Sequence, residues 1–166
     1  EEQQALRDRL AAELQISSLS AGLLISRGLT TAEQARSFIR PQLSGLHDPF
    51  LMKDMTEAEA RLSEAIAGKQ RILIYGDYDV DGTTAVSLVF TFLRQFTDAI
   101  DFYIPDRYTE GYGISFQGID YAQSTGCQLI IALDCGIKSV DKVAYAAARG
   151  IDFIICDHHK PGEELP

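Results

Sequence analysis

Basic residues are scarce in this sequence. Its 15 lysines and arginines stand against 24 aspartates and glutamates, which gives a net charge of −9. A broad nucleic-acid-binding surface needs an excess of lysine and arginine to release counterions, so this balance argues against such a surface in the chain. Clustered carboxylates are, however, the ligands that divalent cations require. If the substrate is a nucleic acid, metal ions must offset the local charge and part of the basic contact must come from elsewhere.

Long apolar runs and paired cysteines are also missing. No run reaches the roughly 18 apolar residues that cross a bilayer, and the start, Glu1 to Gln4, lacks the features of a signal peptide. Cys127, Cys135 and Cys156 form no CxxC pair. We therefore expect a globular cytoplasmic protein that makes no membrane contact. Cys127 and Cys156 are expected to be buried as small hydrophobic residues.

The first 68 residues have the pattern of helices. Leucines recur every four residues between positions 6 and 14, which predicts one apolar helix face. A second helix is expected to stop at Gly28, and Pro41 and Gly68 are expected to end two more. The candidate N-caps of the last three helices are Ser20, Thr31 and Thr56, the latter two in capping boxes.

From Arg71 onwards, apolar runs alternate with single helix-length segments. The runs are residues 72–75, 100–104, 129–133 and 151–156. Because apolar and polar residues do not alternate along these runs, they predict parallel strands that are covered on both faces. The predicted fold class is α/β: a doubly wound, mainly parallel sheet with helices on both faces, preceded by a helical N-terminal segment. We expect a helical lead-in over residues 1–68 and the α/β domain over residues 69–166.

Acidic residues and histidines follow three of the predicted strands. They are Asp77, Asp79 and Asp81 after the first, Asp134 after the third, and Asp157, His158 and His159 after the fourth. The carboxyl ends of parallel strands share one edge of a sheet, so these clusters should converge. Carboxylates with one or two imidazoles suit Mn²⁺ or Mg²⁺, and Asp134 could bridge two such ions about 3.5–4 Å apart. Asp81 is also read as a possible cap of the following helix.

The same residues resemble the motifs of the DHH phosphoesterase family, and of its RecJ exonuclease branch in particular. The motifs in this sequence are YGDYDVDGTTA from Tyr75 to Ala85, PDRYTEGYG from Pro105 to Gly113, LDCGI from Leu133 to Ile137, and DHH from Asp157 to His159. The segments RPQL and DPFLMKDM, and the exit KPGEELP, are similar to RecJ as well. The resemblance thus spans nearly the whole chain.

The resemblance implies a role for each motif residue. Asp77 and Asp79 would each ligate a different metal ion, and Asp134 would bridge the two. His158 would be a further metal ligand, and His159 would approach the scissile phosphate. The remaining roles are orientation of the site by Asp157, support of the ligands by Asp81, and phosphate contact by Arg107.

The implied function is hydrolysis of single-stranded DNA from an end, in the 5′ to 3′ direction, in DNA repair and recombination. Two Mn²⁺ or Mg²⁺ ions would serve as cofactors. The family has a further metal-binding aspartate and a DHHA1 domain downstream of the DHH motif, whereas this sequence stops at Pro166. We therefore expect a fragment that would lack one metal ligand on its own, with the missing C-terminal domains of the same chain as its partners.

Three alternatives stay open. The first is an oligoribonuclease or cyclic-dinucleotide phosphodiesterase of the same family, although the tyrosine of Tyr75-Gly76-Asp77 favours RecJ. The second is a non-catalytic RecJ-like scaffold, which should bind no Mn²⁺. The third is a haloacid-dehalogenase-like phosphatase, because residues 79–84 match its DxDGT signature; that chemistry has no use for the DHH motif.

Overall fold

The computed structural model describes residues 2–166, which form helices and one four-stranded sheet. The elements are α1 Glu2–Leu14, α2 Ser18–Ser26, α3 Ala32–Ile39, α4 Met55–Ala67, β1 Arg71–Gly76, α5 Val80–Leu93, β2 Ile100–Tyr103, α6 Phe116–Ser124, β3 Cys127–Leu133, α7 Val140–Ala147 and β4 Asp152–Cys156. Two short 3-10 helices, Leu43–Gly45 and Pro49–Leu51, lie between α3 and α4. The chain divides into two compact units, one ending at Met52 and the other spanning Lys53–Pro166. No helix of the described residues is both long and apolar enough to cross a membrane.

The first unit is a small cluster of three helices. Its core consists of Leu10, Ala21, Leu24 and Ala35. The capping box at Thr31 is confirmed. The Thr31 side chain accepts a hydrogen bond from the Gln34 amide, and the Gln34 side chain accepts one from the Thr31 amide. The predicted cap at Ser20 is wrong: Ser17 caps α2 and accepts a hydrogen bond from the Ser20 amide, so the helix begins earlier.

Helix α4 belongs to the second compact unit, which begins at Lys53. Ala65 is fully buried in the same apolar cluster as Ile72 of β1. The Arg61 Nε donates to Asp152 Oδ2 of β4 at 2.8 Å. The predicted capping box at Thr56 is wrong, because Asp54 precedes the helix in the left-handed conformation without a side-chain cap.

The sheet is parallel throughout, with the order β2-β1-β3-β4. The inner strands β1 and β3 are buried over nearly their whole length, as their unbroken apolar runs predict. One face of the sheet packs on α4 and α5 around Ile74, Ala65 and Val86. The other face packs on α6 and α7 around Tyr75, Ile119 and Ala146. The α/β prediction, with helices on both faces, is therefore confirmed.

The strand order places a topological switch between β1 and β3. From β1 the chain moves outward to β2 and then returns to the other side of β1 as β3. The register pairs Gly76 with Leu133, and Leu133 with Cys156, so β1, β3 and β4 end side by side. A ligand crevice of an open parallel sheet lies at such an edge. Cys127 is buried as predicted, whereas the prediction for Cys156 is wrong, because β4 is an edge strand and leaves this residue exposed.

Candidate metal centre

Asp77 follows β1 and is almost completely buried, with 1% of its surface exposed. The Gly113 amide donates to its Oδ1 at 3.2 Å. Its Oδ2 is also buried, and it has no hydrogen-bond partner among the described residues. Leaving a buried carboxylate oxygen unpaired is costly, and a cation would remove that cost. The residue therefore fits a metal ligand better than a purely structural aspartate.

Asp79 lies at the N-terminus of α5. Its Oδ1 accepts the Gly82 amide at 2.9 Å, which makes Asp79 the N-cap of the helix. The interpretation of Asp81 as this cap is wrong, since Asp81 already lies in the first helical turn and is exposed. The structure thus assigns the capping to Asp79, which keeps its other carboxylate oxygen for further contacts.

Asp134 follows β3 and turns the chain sharply. Its φ is 60°, in the left-handed region, and its amide donates to Cys156 O at the end of β4 at 2.8 Å. The His158 Nε2 lies 3.1 Å from Asp134 Oδ1. Asp134, His158 and His159 each offer one potential ligand atom, and these three atoms lie within 4.8 Å of one another. Such spacing allows these side chains to contact a common ion or a common substrate group.

Asp157 holds His159 through two bonds to one oxygen. Its Oδ1 accepts both the His159 amide at 3.0 Å and the His159 Nδ1 at 2.7 Å. Its Oδ2 accepts the Ile137 amide at 3.0 Å. Burial by itself would raise the pKa of the Asp157 carboxyl, but these hydrogen bonds outweigh it and hold the pKa below the ordinary value. The bond to Asp157 in turn raises the pKa of His159.

The carboxylates around this edge create a strongly negative environment. Burial raises the pKa of the Cys135 thiol to about 12, with further contributions from the carboxylates of Asp77, Asp157, Asp134 and Asp79. Desolvation and three of the same carboxylates raise the pKa of the Tyr112 hydroxyl to about 12 as well. Carboxylates gathered in this way favour a divalent cation.

The loop between β2 and α6 reaches the same edge. The Tyr112 hydroxyl lies 3.2 Å from His159 Nε2, and its ring is edge-on to Tyr78. The Arg107 guanidinium stands over the Tyr78 ring at 5.1 Å. Arg107 is therefore connected to the site by two aromatic rings, and no ion pair joins it to an aspartate within residues 2–166.

The structure brings most of the predicted site residues to one place. Asp77, Asp134 and the segment from Asp157 to His159 all follow strand ends at the same sheet edge, and Asp79 caps the helix after β1. Among the described residues, only Asp134, His158 and His159 form a group of candidate ligands within 4.8 Å of one another, and Asp77 and Asp79 lie outside that group. Asp81 makes no side-chain hydrogen bond in the part of the chain that the structure describes. Sequence reasoning missed Glu110, which binds several loop donors; an acidic residue inside a glycine-rich loop was the available signal.

A comparison with protein families matches the part of the chain that contains these site residues. Residues 71–166 match the model of the DHH family, N-terminal domain. The chain belongs to the DHH family, as its motifs indicate. Its resemblance to RecJ is borne out by relatives that carry this name.

These relatives are single-stranded-DNA-specific exonucleases. RecJ of Bacillus subtilis (strain 168) is 45% identical over 157 residues, which is 95% of this chain but 20% of that protein. RecJ of Dickeya dadantii (strain 3937) is 35% identical over 166 residues and is covered to 28%. The chain therefore spans about a fifth to a quarter of the length of these relatives.

Solved structures agree with the sequence relatives. The crystal structure of RecJ from Thermus thermophilus in complex with Mn²⁺ superimposes with a TM-score of 0.75 at 25% identity, covering 98% of this chain and 22% of that one. A second structure, of exonuclease RecJ bound to manganese, gives a TM-score of 0.64 at 32% identity over 69% of this chain and 30% of that one. The fold and the lead-in are thus those of RecJ structures.

Proposed function

We propose that this chain is the metal-binding part of a two-metal phosphodiesterase that degrades single-stranded DNA from the 5′ end. The observation that carries the proposal is the buried Asp77 carboxylate, whose Oδ2 has no partner among the described residues, at the edge where Asp134 and His158 meet. Carboxylate oxygens combined with imidazole nitrogens are ligands suited to Mn²⁺ or Mg²⁺. The manganese in the RecJ structures supports this choice of cofactor.

In this proposal, the side chains divide into ligands and substrate contacts. Asp77, Asp79, Asp134 and His158 would hold the cations. When bound, two such cations activate a water molecule near neutral pH and neutralise the phosphate charge.

His159 is the substrate contact next to these ligands. Asp157 fixes its Nδ1, so the Nε2 is the nitrogen that meets the phosphate or the leaving oxygen. Fixing one ring nitrogen in this way determines which tautomer the histidine adopts.

The substrate follows from the relatives and from the charge of the chain. The matched proteins are named single-stranded-DNA-specific exonucleases, and we extend this substrate to the chain. Arg107, beside Tyr78, is proposed to contact a DNA phosphate. A net charge of −9 leaves most of the phosphate binding to the C-terminal domains that the resemblance implies. We propose a cytoplasmic role in DNA repair and recombination.

Metal binding is the first test, because it needs no DNA substrate. Isothermal titration with Mn²⁺ should give binding that His158→Ala weakens at least tenfold. His47→Ala is the matched control, since this exposed histidine lies in the connecting segment and not at the sheet edge. Absence of Mn²⁺ binding by a chain extended through the downstream domains, which would supply the remaining ligand, would instead favour the scaffold alternative.

Nuclease activity is the second test and uses a longer chain that includes the downstream domains. We expect Mn²⁺-dependent release of nucleotides from the 5′ end of labelled single-stranded DNA and none from blunt duplex DNA. His159→Ala should lower kcat by at least about 100-fold. Cleavage restricted to dinucleotides would move the protein to the short-oligonucleotide branch of the family.

A further inference from the structure

The loop between β2 and α6 touches the candidate centre at two points. The Gly113 amide donates to Asp77 Oδ1 at 3.2 Å, and the Tyr112 hydroxyl lies 3.2 Å from His159 Nε2. Because Gly113 occupies one oxygen of Asp77, it determines which oxygen is left for a cation. The conformation of this loop therefore sets the orientation of a proposed metal ligand and of the proposed phosphate contact.

Glu110 ties both ends of this loop to the body of the domain. Its Oε1 accepts the Asp106 amide at 2.8 Å, near the start of the loop. Its Oε2 accepts the Tyr103 hydroxyl of β2 at 2.9 Å and the Ser115 hydroxyl at the end of the loop. Within residues 2–166 no lysine, arginine or histidine forms an ion pair with this carboxylate, so loop and strand donors alone satisfy it.

A buried chain of hydrogen bonds continues from Ser115 to the site. The Ser115 amide donates to the Tyr75 hydroxyl at 3.0 Å, and the Tyr75 hydroxyl donates to Gly113 O at 3.0 Å. The Ser115 Oγ accepts the Gly118 amide at 2.9 Å and so caps α6. The residues at both ends of the short segment 113–115 are thus held by one network, and the Gly113 amide is aimed at Asp77.

We propose that Glu110 is a positioning residue, whose carboxylate holds the loop so that Gly113 orients Asp77 and Tyr112 orients His159. The effect of Glu110 on metal binding rests on the proposed function, whereas its effect on the loop is independent of that proposal. The burial of Tyr103, together with its bond to Glu110, raises the pKa of that phenol to about 12, so the hydroxyl stays a donor to the carboxylate at neutral pH.

Glu110→Gln is the informative substitution. One of the two carboxylate oxygens becomes an NH₂ group that cannot accept a hydrogen bond, so one or two of the three hydrogen bonds to residue 110 are lost while the side chain keeps its size. Asp120→Asn is the matched control: Asp120 also accepts a tyrosine hydroxyl, that of Tyr145 at 2.9 Å, but lies exposed on α6 and touches no site residue.

The first readout is hydrogen exchange of the Gly113 amide in the metal-free chain, compared with the Ile130 amide in β3. Glu110→Gln should raise the exchange rate of Gly113 at least tenfold and leave Ile130 within about twofold, because a local opening spares the sheet. A parallel rise at both amides, or no rise at Gly113, would overturn the proposal. Asp120→Asn should change neither amide.

The second readout is Mn²⁺ affinity, which should fall about 10- to 100-fold in Glu110→Gln, as is typical for residues that orient metal ligands. Unchanged affinity with increased Gly113 exchange would overturn the link from the loop to the metal. If a chain extended through the downstream domains binds no Mn²⁺, the proposed function fails, and the metal-free exchange still decides whether Glu110 positions the loop.

Discussion

Asp134 combines an unusual backbone with a central position in the candidate site. Its φ of 60° is uncommon for a residue with a Cβ, although aspartate and asparagine tolerate this region best. The turn brings its amide to Cys156 O and its carboxylate next to His158. Unusual backbone conformations persist only where the surrounding structure holds them, and they are found most often at functional sites.

Asp134→Asn should separate stability from metal binding. Asparagine suits the same backbone, and its Oδ1 can still accept from His158, so the substitution removes little besides one negative charge. We expect the metal-free chain to gain about 1 kcal/mol in free energy of unfolding, because repulsion from Asp77 and Asp157 decreases. Mn²⁺ affinity should fall at least 100-fold. Urea unfolding with chelator and calorimetric titration measure the two quantities; a loss of stability would contradict this account.

The pKa of His159 should depend on Asp157. The hydrogen bond to Asp157 raises the pKa of His159 in the structure, so Asp157→Asn should lower it towards the ordinary value of about 6.5. Near pH 7 the protonated fraction of His159 should therefore fall. NMR titration of the imidazole resonances in the metal-free chain measures this, with His47 as the internal reference. An unchanged midpoint would show that the carboxylate does not control the ring.

At the scale of elements, helix α5 lies unusually close to the strand that precedes it. A Cβ at Gly82 would overlap the amide, carbonyl carbon and carbonyl oxygen of Asp77. A Cβ at Gly76 would likewise overlap Val86 and the Gly82 carbonyl. Two glycines thus let the helix begin directly against the end of β1, which brings the capping residue Asp79 next to Asp77.

Gly82→Ala should destabilise the chain, although alanine normally favours a helix by about 1 kcal/mol over glycine. The backbone atoms of Asp77 cannot move aside as a flexible side chain could, so we expect a loss of about 2 kcal/mol or more in free energy of unfolding. Gly162→Ala is the control, since a Cβ there meets Glu164 only at ordinary contact distance. Urea denaturation of both variants measures the effect, and equal stabilities would contradict the close approach.

At the scale of the whole molecule, the sheet domain needs α4. Ala65 is completely buried, and Leu62 and Ile66 pack on the same cluster of the sheet. Arg61 adds a contact to Asp152 on the outer strand β4. Helix α4 is therefore one of the two helices that cover this face, together with α5.

Two truncated chains test this organisation. The unit Lys53–Pro166 should unfold cooperatively, whereas residues 69–166 should lose at least about 3 kcal/mol, because the apolar side chains of α4 no longer cover Ile72 and Ile74. Thermal unfolding monitored by circular dichroism compares the two. Equal melting temperatures of the two chains would show that the sheet domain does not need α4.

The sequence by itself determined the fold class and the family, and it predicted which residues form the candidate site. The unbroken apolar runs of β1 and β3 suit strands that are buried on both faces, and polar residues after parallel strands meet at one edge. The capping box at Thr31 was also readable, because both of its hydrogen bonds join Thr31 and Gln34, which are three residues apart in the sequence.

Only the tertiary structure decided the order of the strands, the unit to which α4 belongs, and the contacts of Glu110. These features depend on residues far apart in the chain: Arg61 contacts Asp152, Tyr75 contacts Ser115, and Gly113 contacts Asp77. Local pattern carries no information about such pairs, because their distances are set by how the helices pack on the sheet. The assignment of the cap to Asp79 instead of Asp81 likewise depended on where α5 meets β1.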